Sequence, residues 1–159
     1  MPVALFRIDD RLIHGQVVEA WVPYLKADEI VVVSDDIASD DVRRAIMRFS
    51  TPEGVSLKIL SVDDAFNYLN GPTGGANILV LLPGLKDMAD MISKGLVIRS
   101  LNIGGMHYSA GKNFSIGKAI FLSDEDRSYL KFISGTGVEL EGRGVPTDKP
   151  INLMDAIAH

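Results

Sequence analysis

Two rhythms of apolar residues alternate along this chain. Residues 3–8 form a short apolar run without clean alternation, as a strand buried on both faces would. From Gly15 the rhythm changes. Val17, Val18, Trp21, Val22 and Leu25 fall at helical spacing, with Gln16, Glu19 and Lys26 on the other side. Pro23 lies inside this pattern and has no N–H to give, so the helix should kink or end near it. Glu29–Val33 reads as a second buried strand and Ser34-Asp35-Asp36 as a polar turn. Ser39 or Asp40 can cap a helix whose core face is Val42, Ala45, Ile46 and Phe49, with Arg43, Arg44 and Arg48 on its polar side.

Thr51-Pro52-Glu53-Gly54 breaks that helix, and Ser56–Leu60 follows as a third strand. Ser61-Val62-Asp63-Asp64 has the capping-box form with Asp in the last place, ahead of a short helix lined by Val62, Ala65, Phe66 and Leu69. Residues 71–75 are a glycine-rich loop without the dinucleotide or P-loop spacing. Ile78–Leu82 is the strongest buried-strand signal, followed by a helix on Leu85, Met88, Ala89 and Ile92 that Gly95 closes. Residues 97–103 and 118–122 read as strands five and six, and Ser123 starts a helix carrying Leu130 and Ile133. Residues 138–141 alternate as a half-exposed edge strand would, and residues 152–157 can add a last short helix.

Strand and helix therefore alternate with short connections. The expected fold is α/β: an open, mostly parallel twisted sheet of about seven strands, helices on both faces, and an antiparallel edge strand near the C-terminus. In such sheets ligands bind outside the C-terminal ends of the strands, where strand order reverses. The loop 9–14 leaves the first strand at that edge.

The bulk properties narrow the classes. At 159 residues a single domain, 1–159, is the default. The absence of cysteine excludes disulfides, thiolate metal sites and cysteine nucleophiles. A formal charge of −5 argues against a general nucleic-acid binder. No run reaches the roughly 18 apolar residues of a membrane span, and charged residues occupy the place of a signal peptide's apolar stretch. A protein that is neither exported nor membrane-spanning is the expectation.

The chemistry concentrates in Asp9-Asp10-Arg11-Leu12-Ile13-His14-Gly15-Gln16. His14 falls at a loop-to-helix junction, beside free backbone amides and the positive end of a helix dipole. A neutral imidazole nitrogen is nucleophilic near pH 7. A phosphoryl group placed on it would meet amides of Gly15, Gln16 and Val17 and a forked donor in Arg11. Gly15, having no Cβ, lets an anion approach the backbone. The plainer alternative is a histidine that merely starts a helix. Asp9 and Asp10 can orient Arg11 or His14, or form an Mg²⁺ pocket with an acceptor aspartate and Lys86 or Lys112 as partner. His107 follows Gly104-Gly105 and can approach His14 if its strand neighbours the first. His159 is terminal. The three histidines show no metal-ligand spacing.

The run Arg7-Ile8-Asp9-Asp10-Arg11-Leu12-Ile13-His14-Gly15-Gln16-Val17 resembles the IIB component of the mannose/fructose/sorbose family of the bacterial phosphoenolpyruvate-dependent sugar phosphotransferase system. Asp35-Asp36 with Arg43-Arg44, Gly104-Gly105-Met106-His107-Tyr108 and Gly144-Val145-Pro146-Thr147 support the resemblance, which covers essentially the whole chain. It implies a cytoplasmic phosphocarrier, working transiently at the inner face of the cell membrane. It would take a phosphoryl group from the phosphohistidine of a IIA protein or domain and pass it to a sugar bound by a membrane IIC/IID permease. In enzymatic terms that is a component of a protein-N(π)-phosphohistidine–sugar phosphotransferase. Carried over by position, His14 would be phosphorylated, Arg11, Gly15 and Gln16 would bind phosphate, and Asp9 would support the loop. No cofactor, metal or nucleic acid is implied. The alternative is a regulatory module of the same fold, switched by phosphohistidine and serving no transporter.

Overall fold

A computed structural model describes residues 3–157. Strands β1 (Val3–Asp9), β2 (Glu29–Val33), β3 (Ser56–Leu60), β4 (Ile78–Leu82), β5 (Ser100–Gly105) and β8 (Glu139–Gly142) run parallel. A two-residue strand, β9 (Ile151–Asn152), closes one edge antiparallel to β8. The order across this seven-stranded sheet is β3-β2-β4-β1-β5-β8-β9. Strands β6 (Phe114–Ile116) and β7 (Ile120–Leu122) form a separate antiparallel pair beside the end of β5.

The helices cover both faces, as expected from the alternating pattern. On one face lie a π-helical turn (Val17–Trp21) running into α1 (Val22–Leu25), then α2 (Asp35–Ala38) and α3 (Asp41–Ser50). Val17, Trp21, Val22 and Ile37 pack there on Ile30, Val32, Leu79 and Leu81. On the other face α4 (Val62–Leu69), α5 (Leu85–Ser93), α6 (Asp124–Gly135) and α7 (Leu153–Ile157) bury Ala65, Met88, Leu130 and Leu153 against Ile8, Val31, Val80 and Ile103. The central strand β4 has all five residues fully buried. That is why its sequence is an uninterrupted Ile-Leu-Val-Leu-Leu run with no alternation. Among the described residues no helix is long and apolar enough to cross a membrane.

Several expectations shift. The strand read at 118–122 belongs to the small sheet, not the main one. The strand read at 138–141 is parallel and interior to the edge. β9, too short to leave a period in the sequence, supplies the antiparallel edge. The fifth strand starts at Ser100, and Val97 is 80 % exposed. Ser34 caps α2, its Oγ accepting from the Ile37 amide at 3.2 Å, so the expected polar turn is a turn of helix. Asp40, not Ser39, caps α3.

The largest departure concerns α3. Val42, Ile46 and Phe49, expected in the core, are 70, 57 and 94 % exposed, while Arg44 and Met47 face inward. Periodicity marks the apolar side of a helix but not the direction in which that side points. Here Ile37 of α2, with Met47, Val55 and Leu57, already covers the sheet beneath, so the stripe is left outside. His159 lies outside the described residues.

Candidate functional site

Strand β1 sits between β4 and β5; the chain leaves β1 towards β2 on one side and leaves its neighbour β4 towards β5 on the other. This is the point where strand order reverses, and loop 9–14 leaves β1 here. The β1–β5 register breaks locally: Ile8 pairs with Ile103, but Asp9 pairs with Gly105. Such a bulge re-aims the next side chain.

Asp9 is buried and its carboxylate is the hub. Oδ2 accepts from His14 Nε2 at 2.8 Å and from Arg7 Nη2 at 3.1 Å, while Oδ1 accepts from the Arg11 amide at 3.1 Å. A carboxylate only accepts, so in the neutral imidazole of His14 the proton is on Nε2 and the lone pair on Nδ1. Leu12 donates its amide to the Asp9 carbonyl at 3.0 Å and takes a left-handed φ of +57°. That conformation is costly for leucine. Its side chain is 2 % exposed, so burial holds the loop in the turn.

The helical backbone starts at Gly15, and its first closing bond runs from the Val18 amide to the His14 carbonyl at 2.9 Å. The amides of Gly15, Gln16 and Val17 precede that bond and have no acceptor within the helix. A Cβ placed on Gly15 would meet nothing within 4 Å, so no packing demands glycine there. The next turn is π-helical, with Val22 donating to the Val17 carbonyl. The wider turn accommodates Pro23, which lacks a donor and crowds the carbonyl four residues back. The helix ends at Lys26, with φ +54°.

Arg11, Gly15 and Gln16 are exposed, and the His14 side chain is 13 % exposed. Arg11 Nη2 reaches Gln16 Oε1 at 3.4 Å, which sets both side chains on one side of the loop. They border an open cleft of about 500 Å³ that His107, Lys118, Arg143 and Lys149 also line. Two larger depressions, about 680 and 660 Å³, lie at the opposite ends of the strands around Ser100, away from this chemistry.

His107 follows β5, the strand that neighbours β1, yet it turns to Asp10 rather than His14. Asp10 Oδ1 accepts from His107 Nδ1 and Oδ2 from the His107 amide, each at 2.6 Å. With the Asp10 amide bonded to the Gly105 carbonyl at 3.1 Å, this ties the loop to the exit of β5. Both acids are thus engaged by protein groups, and Lys112 pairs with Asp126 at 2.9 Å.

Sequence reasoning passed over Arg7. It is wholly buried and binds four acceptors. Nη1 donates to Asn102 Oδ1 at 2.5 Å and to the Arg143 carbonyl at 2.8 Å. Nη2 donates to Asp9 and, at 2.9 Å, to the Gly144 carbonyl. Trp21 stacks under it, ring centre 5.1 Å from Cζ, and donates its indole N–H to the same Gly144 carbonyl at 2.8 Å. A Cβ on Gly104 would stand 1.9 Å from Arg7 Nη2, so only glycine fits beneath the guanidinium. Burial pulls the Arg7 pKa below its ordinary value and Asp9 raises it again. A guanidinium starts so high that it stays charged. The available signal was an arginine inside a strand otherwise apolar enough to be buried on both faces.

The chain matches the family model for the phosphotransferase-system (PTS) sorbose subfamily IIB component over residues 3–159. It is 34 % identical to the sorbose-specific EIIB component of Klebsiella pneumoniae over 158 residues, covering 99 % of this chain and 96 % of that one. The crystal structure of the IIBSor domain of the sorbose permease from that organism superposes with a TM-score of 0.92, covering 99 % and 97 % of the two chains at 34 % identity. The mannose-specific EIIAB component of Escherichia coli K12 is 35 % identical over 159 residues, but the chain spans only 49 % of its length. The fructose-specific EIIB component of Bacillus subtilis is 34 % identical, covering 93 % of this chain and 91 % of that one. A parallel sheet whose switch point carries this loop, matched along its whole length to such relatives, places the chain in the sorbose-subfamily IIB components of the sugar phosphotransferase system.

Proposed function

We propose that this IIB component is a cytoplasmic phosphocarrier in sugar uptake and that His14 carries the phosphoryl group. The donor is the phosphohistidine of a IIA partner, and the acceptor is a sugar held by a membrane IIC/IID permease. The observation that supports this reading most is the bond from His14 Nε2 to buried Asp9, which leaves Nδ1, the N(π) position, as the nucleophile. As the donor P–N bond breaks, a P–Nδ1 bond forms on His14. Nε2 keeps its proton, and Asp9 stabilises the positive charge that develops on the ring. Arg11 and the first-turn amides of residues 15–17 meet the phosphoryl oxygens, and Gly15 leaves room for them. Asp10, through His107, holds the loop in place. In the onward step the P–Nδ1 bond breaks as a P–O bond forms on the sugar hydroxyl, whose proton passes to a base on the permease side, and His14 returns to its neutral Nε2–H form with donor and acceptor in line.

The test is phosphoryl transfer from labelled phosphoenolpyruvate through the general phosphotransferase proteins and a IIA protein. Acid-labile, alkali-stable label on the wild type and none on His14→Ala is the expected outcome. Label persisting on His14→Ala, or alkali-labile label on aspartate, would overturn it. Adding IIC/IID membranes then turns the label into sugar phosphate. Labelled protein that never discharges to sugar favours the regulatory module instead.

A further inference from the structure

Helix α3 leaves a continuous apolar stripe open to solvent. None of its ten residues is buried, and Phe49 is 94 % exposed. At 100° per residue Val42, Ala45, Ile46 and Phe49 share one face. Asp41 and Arg48 fall together on one flank of that face, and Arg43 with Ser50 on the other. Asp41 and Arg48 are both exposed and seven residues apart, about 10.5 Å along the axis, too far to pair within one helix.

We propose that this face is a self-association surface, on which two copies of the chain pack α3 against α3, antiparallel, across a two-fold axis. A two-fold contact meets itself, so the stripe must complement its own reverse. It does. Phe49 covers the partner's Val42, and Ala45 meets the partner's Ile46. On an antiparallel pair each flank faces the same flank of the other copy run backwards. Asp41 therefore meets the partner's Arg48, and Arg48 the partner's Asp41. A parallel two-fold pair would set this flank against the Arg43–Ser50 flank instead, with Arg48 opposite Ser50, so it is in the antiparallel pair that the Asp41–Arg48 flank is its own complement. An anionic bilayer fits less well, because Asp35, Asp36, Asp40 and Asp41 crowd the start of the helix. A single ten-residue helix offers less than the roughly 800 Å² per partner of a standard interface, which sets a weak, concentration-dependent dimer. α3 lies on the β2–β3 side of the sheet, so pairing leaves loop 9–14 at the β1–β5 junction open.

Sedimentation equilibrium of the whole chain from about 10 μM to about 1 mM tests this, the range in which small interfaces associate. Wild type is expected to move from monomer to dimer. Phe49→Asp should stay monomeric with an unchanged thermal midpoint, since that ring supports nothing in the monomer. Asp41→Arg and Arg48→Asp should each weaken self-association about tenfold, and an equimolar mixture of the two should restore it to within about twofold of wild type. The mixture is decisive, because a chain that merely folded poorly would not be rescued by another. Wild type that stays monomeric throughout, a dimer indifferent to Phe49→Asp, or single variants that do not recover on mixing would each overturn the proposal. So would α3 amide shifts that arise only with anionic vesicles or a IIA protein.

Discussion

Arg7 is the residue on which the site geometry turns, and it does so without approaching solvent. Its guanidinium neutralises Asp9, fills the space above Gly104 and binds two carbonyls of the loop that follows β8. Arg7→Met keeps the length and apolar stem but strands the buried Asp9 carboxylate. Breaking one side of a buried pair costs about 3–5 kcal/mol, which urea unfolding should register as a lowered midpoint. A loss below about 0.5 kcal/mol, the range of ordinary surface changes, would show that Asp9 finds another partner. The nearness of His14, Arg11 and Gly15 was legible because they share one short loop leading into a helix. That of Arg7, Asn102 and Arg143 was not. Their meeting depends on β1, β5 and β8 lying side by side, which no local pattern reveals.

At the scale of elements, boundaries set by capping and by Gly/Pro were readable, and orientation was not. Asp40 accepts from the Val42 and Arg43 amides at 3.1 Å each, as the sequence led one to expect of Ser39 or Asp40. Because α3 has no buried residue, it depends on that cap more than a packed helix does. Asp40→Ala should cost about 1 kcal/mol. Hydrogen exchange is expected to show it as faster exchange confined to α3 amides, with β4 unchanged. Equal acceleration in β4 would mean that α3 unfolds only with the whole molecule. The direction in which the α3 stripe points escaped the sequence, since a stripe left for a partner and a stripe buried in the core have the same period. The π-helical turn escaped too. Pro23 announced a disturbance, and the chain answered by widening the turn before it and ending the helix two residues beyond it.

For the whole molecule, the alternation of strand and helix was enough to give the parallel sheet, its two covered faces and the edge that carries the site. Strand order was out of reach, and so were β6 and β9, of three and two residues. Such short pieces are placed by their neighbours rather than by their own period. Across β2 and β3 the sheet is held by a polar clamp at its β3 edge. Tyr68 donates to Glu29 Oε1 at 2.6 Å and Ser56 donates to Glu29 Oε2 at 3.1 Å. Burial, and then the bond to Glu29, push the Tyr68 hydroxyl from 10.0 up to about 12. The fold thus favours the protonated phenol. Its contribution is complete below pH 10 and is lost as pH rises through about 12. Stability measured across that window should fall less steeply in Tyr68→Phe than in wild type, and identical slopes would refute the assignment. A last consequence follows from how far Arg7 reaches. Its partners stand 95, 136 and 137 residues along the chain. On the ribosome, where Arg7 emerges long before residues 143–144, Asp9 and His14 have no fixed arrangement until that late loop has been made and docked. An unfinished chain therefore displays the histidine without the geometry that orients it, so under the proposed function it would be a poor phosphoryl carrier until the late loop is made.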